Sequence, residues 1–569
     1  VRATVGNGGN FRVLVRLRDE TGDLAAPAAG RPLRVVLLTF YNYESHALRI
    51  FHPLLKARGH DVHSIYFKNY FTYQVPTQTE EDMVVDLVER LRPDVVAMSV
   101  WSTYYQLAGR LSDRIKAAVN PVIVWGGIHA QAKPEACLPH ADIVCQSEGE
   151  HVLAELTDRI GLDEPYDDLR GCWVKSGDEV RRNPARTLIP DLDVLPPADL
   201  SSDNKYYLGL NRWVDVARWN ERALFYDVMA VRGCPFECTF CIHNFTRKAT
   251  SGMGTYLRRR SVDHVMAELT AAVRERPNLR AIAFSDDIFA PPRPWLEEFC
   301  RRYKQEIGLP FTVYSYPGMV DEKRVAMMRD AGLWCSTMGI QSGSERIRRD
   351  CYERETPNAD ILNACDVLKR YGVGRNLDFI GENPYENEAD RRATIDLLCQ
   401  LPKPFFFNYF SLTFFPGVDL TARALHDGLI TPEDIEDVAE KGYHLWGGSL
   451  MAARSPEQLR WDATYTMAVH GVPRRVIHWL LDHEFFMRHI DRFAQFARRL
   501  QELGRGKDRL VDRLKGRPNI LQLLIDNTNR DQVGDLTTQP NVDCSPLARP
   551  PRRSRLPEAA DATAVGIAS

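Results

Sequence analysis

The stretch Val231–Asn244, VRGCPFECTFCIHN, sets three cysteines at C-x3-C-x2-C spacing: Cys234, Cys238 and Cys241. Three is a restrictive number. A structural zinc site takes four ligands, and disulfides take pairs. A [4Fe–4S] cube is held by thiolates at its iron corners. Three thiolates fill three corners and leave one iron open to another molecule. Zinc completed by a ligand from elsewhere, or a chance grouping, stands as the alternative. His243 lies close, but C-x2-C-x-H is not a finger spacing.

Working outward, YDVMAV before the trio is a short apolar run that reads as a strand. RAIAFS, FTVYSY, CSTMGI, NLDFI and FFFNYFSL repeat the signal. Helical spacing lies between them, as in SVDHVMAELTAAVRER and ADILNACDVLKRYG. Six βα units predict a partial or full β/α barrel over residues 223–420. The trio follows its first strand, on the C-terminal rim where barrel chemistry sits.

Upstream the alternation is already present. LRVVLLTF, DVHSIYF, DVVAMSV, VIVWGG and ADIVCQ are strand runs separated by helical stretches such as EEDMVVDLVERLRP. They predict a doubly wound parallel sheet over residues 33–160. GCWVKSGDEVRRNP reads as a hairpin, and the proline-rich IPDLDVLPPADL as a linker, within residues 161–222. Residues 421–530 read as largely helical. The ends, 1–32 and 531–569, are expected to be disordered; the tail is proline-rich and poor in apolar residues. The predicted fold class is α/β: a Rossmann-like domain, then a partial (β/α)6 barrel, then a helical C-terminal region.

The 569 residues are 44% hydrophobic and 26% charged, enough for several cores. A net charge of −3, with no basic stripe, gives no sign of a nucleic-acid partner. No apolar run reaches the length of a membrane helix, and no secretory signal is evident. The chain is expected to be cytoplasmic, with its 12 cysteines mostly reduced. Outside the trio they are scattered, and buried structural thiols are the expected reading.

The trio has an aromatic, Phe240, before its last cysteine, and Gly233 and Pro235 around its first. In this position it resembles the signature of the radical S-adenosylmethionine (SAM) superfamily. The resemblance implies that Cys234, Cys238 and Cys241 hold a [4Fe–4S] cluster whose open iron is chelated by SAM. Reductive cleavage of SAM then gives a 5′-deoxyadenosyl radical. Asp286 and Asp287, after IAFS, match an element that often receives the SAM amino group; a strand-end turn or helix cap is the plainer alternative. QSGSERI looks like the superfamily's G-x-E-S-G-S stretch, with Gln341 where Glu is frequent. It implies that Ser342 and Glu345 meet SAM, although the pair also fits a capping box. DFIGENPYENEAD and FFPGVDLTARALHDGLI resemble the family's G-x-P-x-E and P-G-T segments and are expected to be architectural.

In the first domain, Ser99 and Thr103 end the third strand, Gly126, Gly127 and His129 the fourth, and Glu148 and Gly149 the fifth. This pattern resembles the cobalamin (B12)-binding domain that precedes many radical SAM domains, and these residues are its expected cofactor contacts. The D-x-H-x-x-G motif that brings a histidine to cobalt in many B12 proteins is missing, so no axial ligand is assigned.

Together the resemblances imply a cobalamin-dependent radical SAM methyltransferase. One SAM methylates cobalamin; the other yields the radical that activates a carbon, or a phosphinate phosphorus, to accept the methyl from methylcobalamin. A small-molecule substrate and an external one-electron reductant of the flavodoxin or ferredoxin type are expected. Antibiotic or other secondary metabolism is the expected setting. Non-methylating rearrangement, cyclisation or deoxygenation remains open on the same motifs, as does a sensor or electron-transfer role. A tRNA- or protein-modifying enzyme would be expected to carry a basic module, and none is seen.

Overall fold

In the computed structural model the described residues are 24, 27–28, 30–69, 75–440 and 455–514. The first sheet is built from β1 (Arg34–Phe40), β2 (Asp61–Phe67), β3 (Val95–Ser99), β4 (Val122–Gly126) and β5 (Ile143–Cys145). These five strands are parallel, in the order β5-β4-β3-β1-β2. Strand β1 shows why its run is continuously apolar. Val36 and Leu38 pack on one face of the sheet, with Val84 and Leu111. Val35 and Leu37 pack on the other, with Leu55 and Leu156. Burying each such side chain contributes about 1.5–3 kcal/mol. Chain order reverses between β1 and β3, which opens a crevice at their C-terminal ends.

The hairpin β6 (Cys172–Ser176) and β7 (Glu179–Arg182) forms as the sequence suggests, and extends the sheet antiparallel to β5. The segment expected to be a plain linker also contains strands. β8 (Lys205–Gly209) adds parallel to β2, and β9 (Arg212–Val214) turns back on it, completing nine strands. Lys205 Nζ and the Asp199 carboxylate, 3.3 Å apart, anchor that return. Much of the N-terminal segment and the whole of 531–569 lie outside the described residues. Leu24, expected to be disordered, is instead buried with Leu54, Ala154 and Ile189, because that hydrophobic cluster needs a cover.

The second sheet contains β10 (Phe225–Val228), β13 (Ala281–Phe284), β14 (Phe311–Ser315), β15 (Leu333–Gln341), β16 (Gly374–Gly381) and β17 (Phe406–Ser411). All six run parallel in chain order. The intervening β11 (Val231–Arg232) and β12 (Arg258–Arg259) form a small antiparallel ladder beside the barrel's entrance. Period-two alternation sorts the barrel side chains. On β16, Leu377 and Phe379 join the outer core, while Asn376 and Asp378 fall on the other face, toward the lumen. Helices beyond the barrel include Asp419–His426, Pro432–Glu440, Pro456–Val469 and Ile490–Leu514. Helix Pro432–Glu440 comes back against Ser102–Tyr104 of the first domain.

Candidate functional site

The trio's loop is shaped by its surroundings. Gly233 has φ +91°, and a Cβ there would stand 2.6 Å from Tyr256 O, so only glycine fits. Thr239 Oγ1 donates to Cys351 O at 2.6 Å, and Leu420 N donates to Thr239 O at 3.0 Å. The P-G-V segment thereby supports the loop. Phe240 packs edge-on against Tyr352, with ring centroids 4.9 Å apart. Helix Ile242–Ala249 starts directly after Cys241.

Cys234 and Cys238 are buried and Cys241 is half-buried. Burial pushes the Cys234 thiol up to about 11 and the Cys241 thiol up to about 12. Bare thiolates are costly there, and bound iron supplies the positive charge they need. Arg354 Nη1 lies 3.4 Å from Cys238 Sγ, and its guanidinium stacks on Tyr316 at 4.6 Å. His243 is not free to complete a zinc site. Its Nδ1 bonds Tyr256 OH at 2.6 Å and its Nε2 faces Asp287 Oδ2 at 2.7 Å. Among the described residues, no three His, Cys, Asp or Glu side chains gather around one ion. A cube, with its thiolates on separate corners, does not require that.

The neighbouring candidates separate. Asp286 is fully buried and accepts from Ala230 N at 2.8 Å and Val231 N at 2.6 Å. It holds the chain that leads into the trio; burial pushes its carboxyl up to about 7. Asp287 is the more exposed of the two and faces His243. Gln341 ends β15 with φ +74°, at a register shift. Ser342 Oγ donates to Glu386 Oε1 at 3.0 Å, and burial pushes that glutamate up to about 7. The capping box between Ser342 and Glu345 does not form. Buried Arg348 binds Ser342 O and, at 3.0 Å, Thr356 O, closing this segment into a loop. Glu345 is turned outward by that closure and accepts from Asn358 N at 2.7 Å, at the start of the next helix.

The lumen below the rim is polar. Asn408 Nδ2 bridges Asn376 Oδ1 at 2.9 Å and Asp378 Oδ1 at 2.8 Å. Burial pushes the Asp378 carboxyl up to about 6. Tyr314 lies near enough to interact electrostatically with both Asp378 and Asp227. The only Arg or Lys on the six barrel strands is Arg375, which points outward to Cys365 O at 3.2 Å.

A large cleft opens at the C-terminal ends of β1, β3, β4 and β5, holding about 1330 Å³ of space including its open mouth. Ser99, Gly126, Gly127, Glu148 and Gly149 all line it, and so does His46, which sequence reading passed over. Gly127 has φ +91°, and a Cβ there would stand 2.9 Å from Val100 N. Apolar walls from Leu37, Ala97, Val124 and Leu153 suit a broad, largely apolar ring system. Thr103 and His129 do not line the cleft. Thr103 is buried beside Tyr104. His129 bonds Ser102 Oγ at 3.0 Å and stacks on Tyr105, and burial pushes it down to about 4.

Glu148 has a different partner from the one expected. Arg232 reaches Glu148 at 2.9 Å and Glu150 at 2.5 Å, and Arg258 reaches Glu148 at 2.8 Å. The first domain is thus clamped to the strand two residues before Cys234. A second tie lies across β10, where Arg49 donates to Asp227 O at 2.8 Å and covers the Tyr226 ring. None of these cross-domain arginines carries a local sequence signal. Their partners lie far away in the chain.

The fold and the cysteine loop together define a class: a radical SAM barrel joined to a domain built for a corrinoid. Comparison with known proteins agrees. The Radical SAM superfamily model matches residues 228–398, and the B12 binding domain model matches residues 34–157. Residues 228–398 thus form a radical SAM domain and residues 34–157 a B12-binding domain. Its cofactors are a [4Fe–4S] cluster, SAM and cobalamin. An uncharacterized methyltransferase of Pyrococcus horikoshii is 27% identical over 354 residues, covering 61% of this chain and 72% of the relative. Cytidylyl-2-hydroxyethylphosphonate methyltransferase of Streptomyces wedmorensis is 26% identical, covering 62% and 71%. Among solved structures, the cobalamin-dependent SAM radical enzyme OxsB shares the fold, with TM-score 0.60, 16% identity, and 88% and 84% of the two chains covered. The radical SAM methyltransferase TsrM of Kitasatospora setae gives TM-score 0.54, 17% identity, and 69% and 76% coverage.

Proposed function

We propose that this enzyme is a cobalamin-dependent radical SAM methyltransferase acting on an unactivated carbon of a small biosynthetic intermediate. One observation carries the reading. Val231 and Arg232 line the corrinoid cleft and lead straight into Cys234, so both cofactor sites share one short strand. When bound, the cofactors supply radical generation and a transferable methyl group. The chain's own residues position and enclose. Cys234, Cys238 and Cys241 would hold the cluster. Phe240 and Thr239 brace their loop, Asp286 fixes the backbone entering it, and the glycines at 126, 127 and 149 leave room for the corrin.

The lumen supports carbon over phosphorus as the methyl acceptor. A phosphonate or phosphinate calls for arginine or lysine. The described barrel strands offer Asp227, Asp378, Asn376 and Asn408 to the lumen instead, groups that suit hydroxyl or amine donors. A phosphonate-bearing substrate, as in the Streptomyces relative's name, is the second reading. A flavodoxin- or ferredoxin-type reductant would deliver the electron. A place in secondary metabolism belongs to the same proposal. The described cysteines are all free thiols, which supports a reducing, cytoplasmic setting; no described helix is long and apolar enough to cross a membrane.

The test is an anaerobic turnover with methyl-labelled SAM and candidate substrates. Label in a carbon–methyl product, with 5′-deoxyadenosine and S-adenosylhomocysteine formed alongside, is expected. Deoxyadenosine with an unlabelled product would replace methylation by another radical reaction.

A further inference from the structure

Two cysteines face each other at the wall of the corrinoid cleft. Cys145 ends β5 and Cys172 begins β6, and the two are in register across an antiparallel pairing. The flanking positions fix the kind of pair. Gln146 N donates to Gly171 O at 2.7 Å, and Lys175 N donates to Asp142 O at 2.8 Å. Hydrogen-bonded and non-hydrogen-bonded pairs alternate along such a ladder, so Cys145 and Cys172 form a non-hydrogen-bonded pair. That pairing brings Cα atoms to about 4.5 Å, inside the range of about 4.4–6.8 Å that a disulfide spans. Both side chains lie on one face of the sheet, buried with Val124 and Val174. The two thiols are within hydrogen-bonding reach of each other. Among the described residues, no other two cysteines are in register on neighbouring strands.

The two thiols are not equivalent. Cys145 lines the cleft beside Gly126, where an added Cβ would stand 3.7 Å from the Cys145 Cβ. Cys172 is fully buried and does not line it. Hydrogen bonding from Cys172 holds the Cys145 thiol below its ordinary value, against the effect of burial. Burial pushes the Cys172 thiol well above its own. The thiolate is the attacking form, so Cys145 is the attacking group and Cys172 the resolving one. A disulfide at the short end of the Cα range is strained and readily reduced, which is the behaviour of a regulatory bond and not of a structural one. In a reducing compartment both remain thiols until an oxidant arrives.

We propose that Cys145 and Cys172 are a reversible oxidation site, entered from the corrinoid cleft and open to hydrogen peroxide when the cleft is empty. The Cys145 thiolate attacks one peroxide oxygen and the O–O bond breaks. Hydroxide leaves and takes up the proton that Cys145 gave up, making water, and Cys145 becomes a sulfenic acid. The Cys172 sulfur then displaces the sulfenic hydroxyl, which leaves with the Cys172 proton as a second water, and the S–S bond forms. In total two thiols and one peroxide give one disulfide and two waters. The bond ties β5 to β6 two residues before Ser147, itself part of the cleft wall. A bound corrinoid covers Cys145, so oxidation marks the unloaded chain. That cover, unlike the thiol chemistry, rests on the corrinoid occupying this cleft.

The test uses the full-length Cys234/Cys238/Cys241→Ala variant, so that the cluster thiols take no part. It is prepared anaerobically, with and without bound hydroxocobalamin, exposed to equimolar hydrogen peroxide, and alkylated in denaturant. Unreduced digests are then read by mass spectrometry. The expected product is a Cys145–Cys172 cross-linked peptide pair, two hydrogens lighter than its thiol peptides and lost on treatment with dithiothreitol. In the same background Cys172→Ser should stop at a Cys145 sulfenic acid that dimedone traps, and Cys145→Ser should leave Cys172 unoxidised. Bound cobalamin should slow the cross-linking at least tenfold. Recovery of both cysteines as alkylated thiols from the cobalamin-free chain overturns the oxidation site. Cross-linking at an unchanged rate in chain shown to hold cobalt overturns the cleft as its entrance and leaves the thiol chemistry standing.

Discussion

Arg232→Met tests the joint between the two cofactor domains. The guanidinium spans two carboxylates, reaching Glu148 at 2.9 Å and Glu150 at 2.5 Å. Glu148 would survive the loss, because Arg258 at 2.8 Å and Ile189 N at 2.8 Å still bind it. Glu150 would not. Its side chain is 4% exposed, and Arg232 is the one partner found for it among the described residues. Removing one member of a buried ion pair costs about 3–5 kcal/mol, most of it from the stranded charge. Taking about 3 kcal/mol, local opening of the β11–β12 ladder should become roughly a hundredfold more frequent. A multidomain chain does not unfold in two states, so hydrogen exchange by mass spectrometry is the suitable assay. Peptides covering Val231–Arg232 and Arg258–Arg259 should exchange faster, while those of β15 and β16 should not change. Adding Glu150→Gln removes the stranded charge and should recover part of the loss, a non-additive cycle. Unchanged exchange at the ladder, or strictly additive effects, would refute the view that this pair holds the domains together.

Three further outcomes follow from other parts of the site. Glu386 holds its proton up to about 7 in the fold against an ordinary 4.5. Between those values the native state keeps a proton the unfolded state has lost, so stability falls as pH rises, by about 3 kcal/mol across the window. Hydrogen exchange of the peptide carrying Glu386 at pH 4.5 and 7.5, corrected for the intrinsic pH dependence of exchange, should show that loss of protection in the wild type and much less of it in Glu386→Gln. Gly127→Val places side-chain carbon against the Val100 backbone at a left-handed position; cobalt retention after gel filtration should fall at least tenfold while iron content stays. Arg354→Met removes a positive charge 3.4 Å from Cys238 Sγ. Hydrogen bonds and charge at the sulfurs raise cluster potentials, so potentiometric titration of the variant should give a more negative midpoint.

The parts of this protein legible in sequence are those written locally. Period-two and continuous apolar runs mark the strands of both domains, and the trio's spacing marks its chemistry without a fold. Strand-end glycines such as Gly126 and Gly127 announce the cleft because close approach needs them. Residues whose roles depend on distant partners were misread or missed. Glu148 follows a strand and precedes Gly149, as a cofactor contact would, yet its carboxylate is taken by arginines 84 and 110 positions away. Glu345 sits three residues after Ser342, as a capping box requires, but Arg348 closes the intervening loop and turns it outward.

The central claim is that one chain holds an iron–sulfur cluster and a corrinoid side by side. Its most direct test is metal content after anaerobic reconstitution with iron, sulfide and hydroxocobalamin, with the Cys234/Cys238/Cys241→Ala variant alongside. About four irons per chain are expected, as for a single [4Fe–4S] cluster, together with cobalt near equivalence. The variant should lose the iron and keep the cobalt. Iron without cobalt would contradict the corrinoid half, and a wild type that binds zinc but no cluster would contradict the reading of the trio itself.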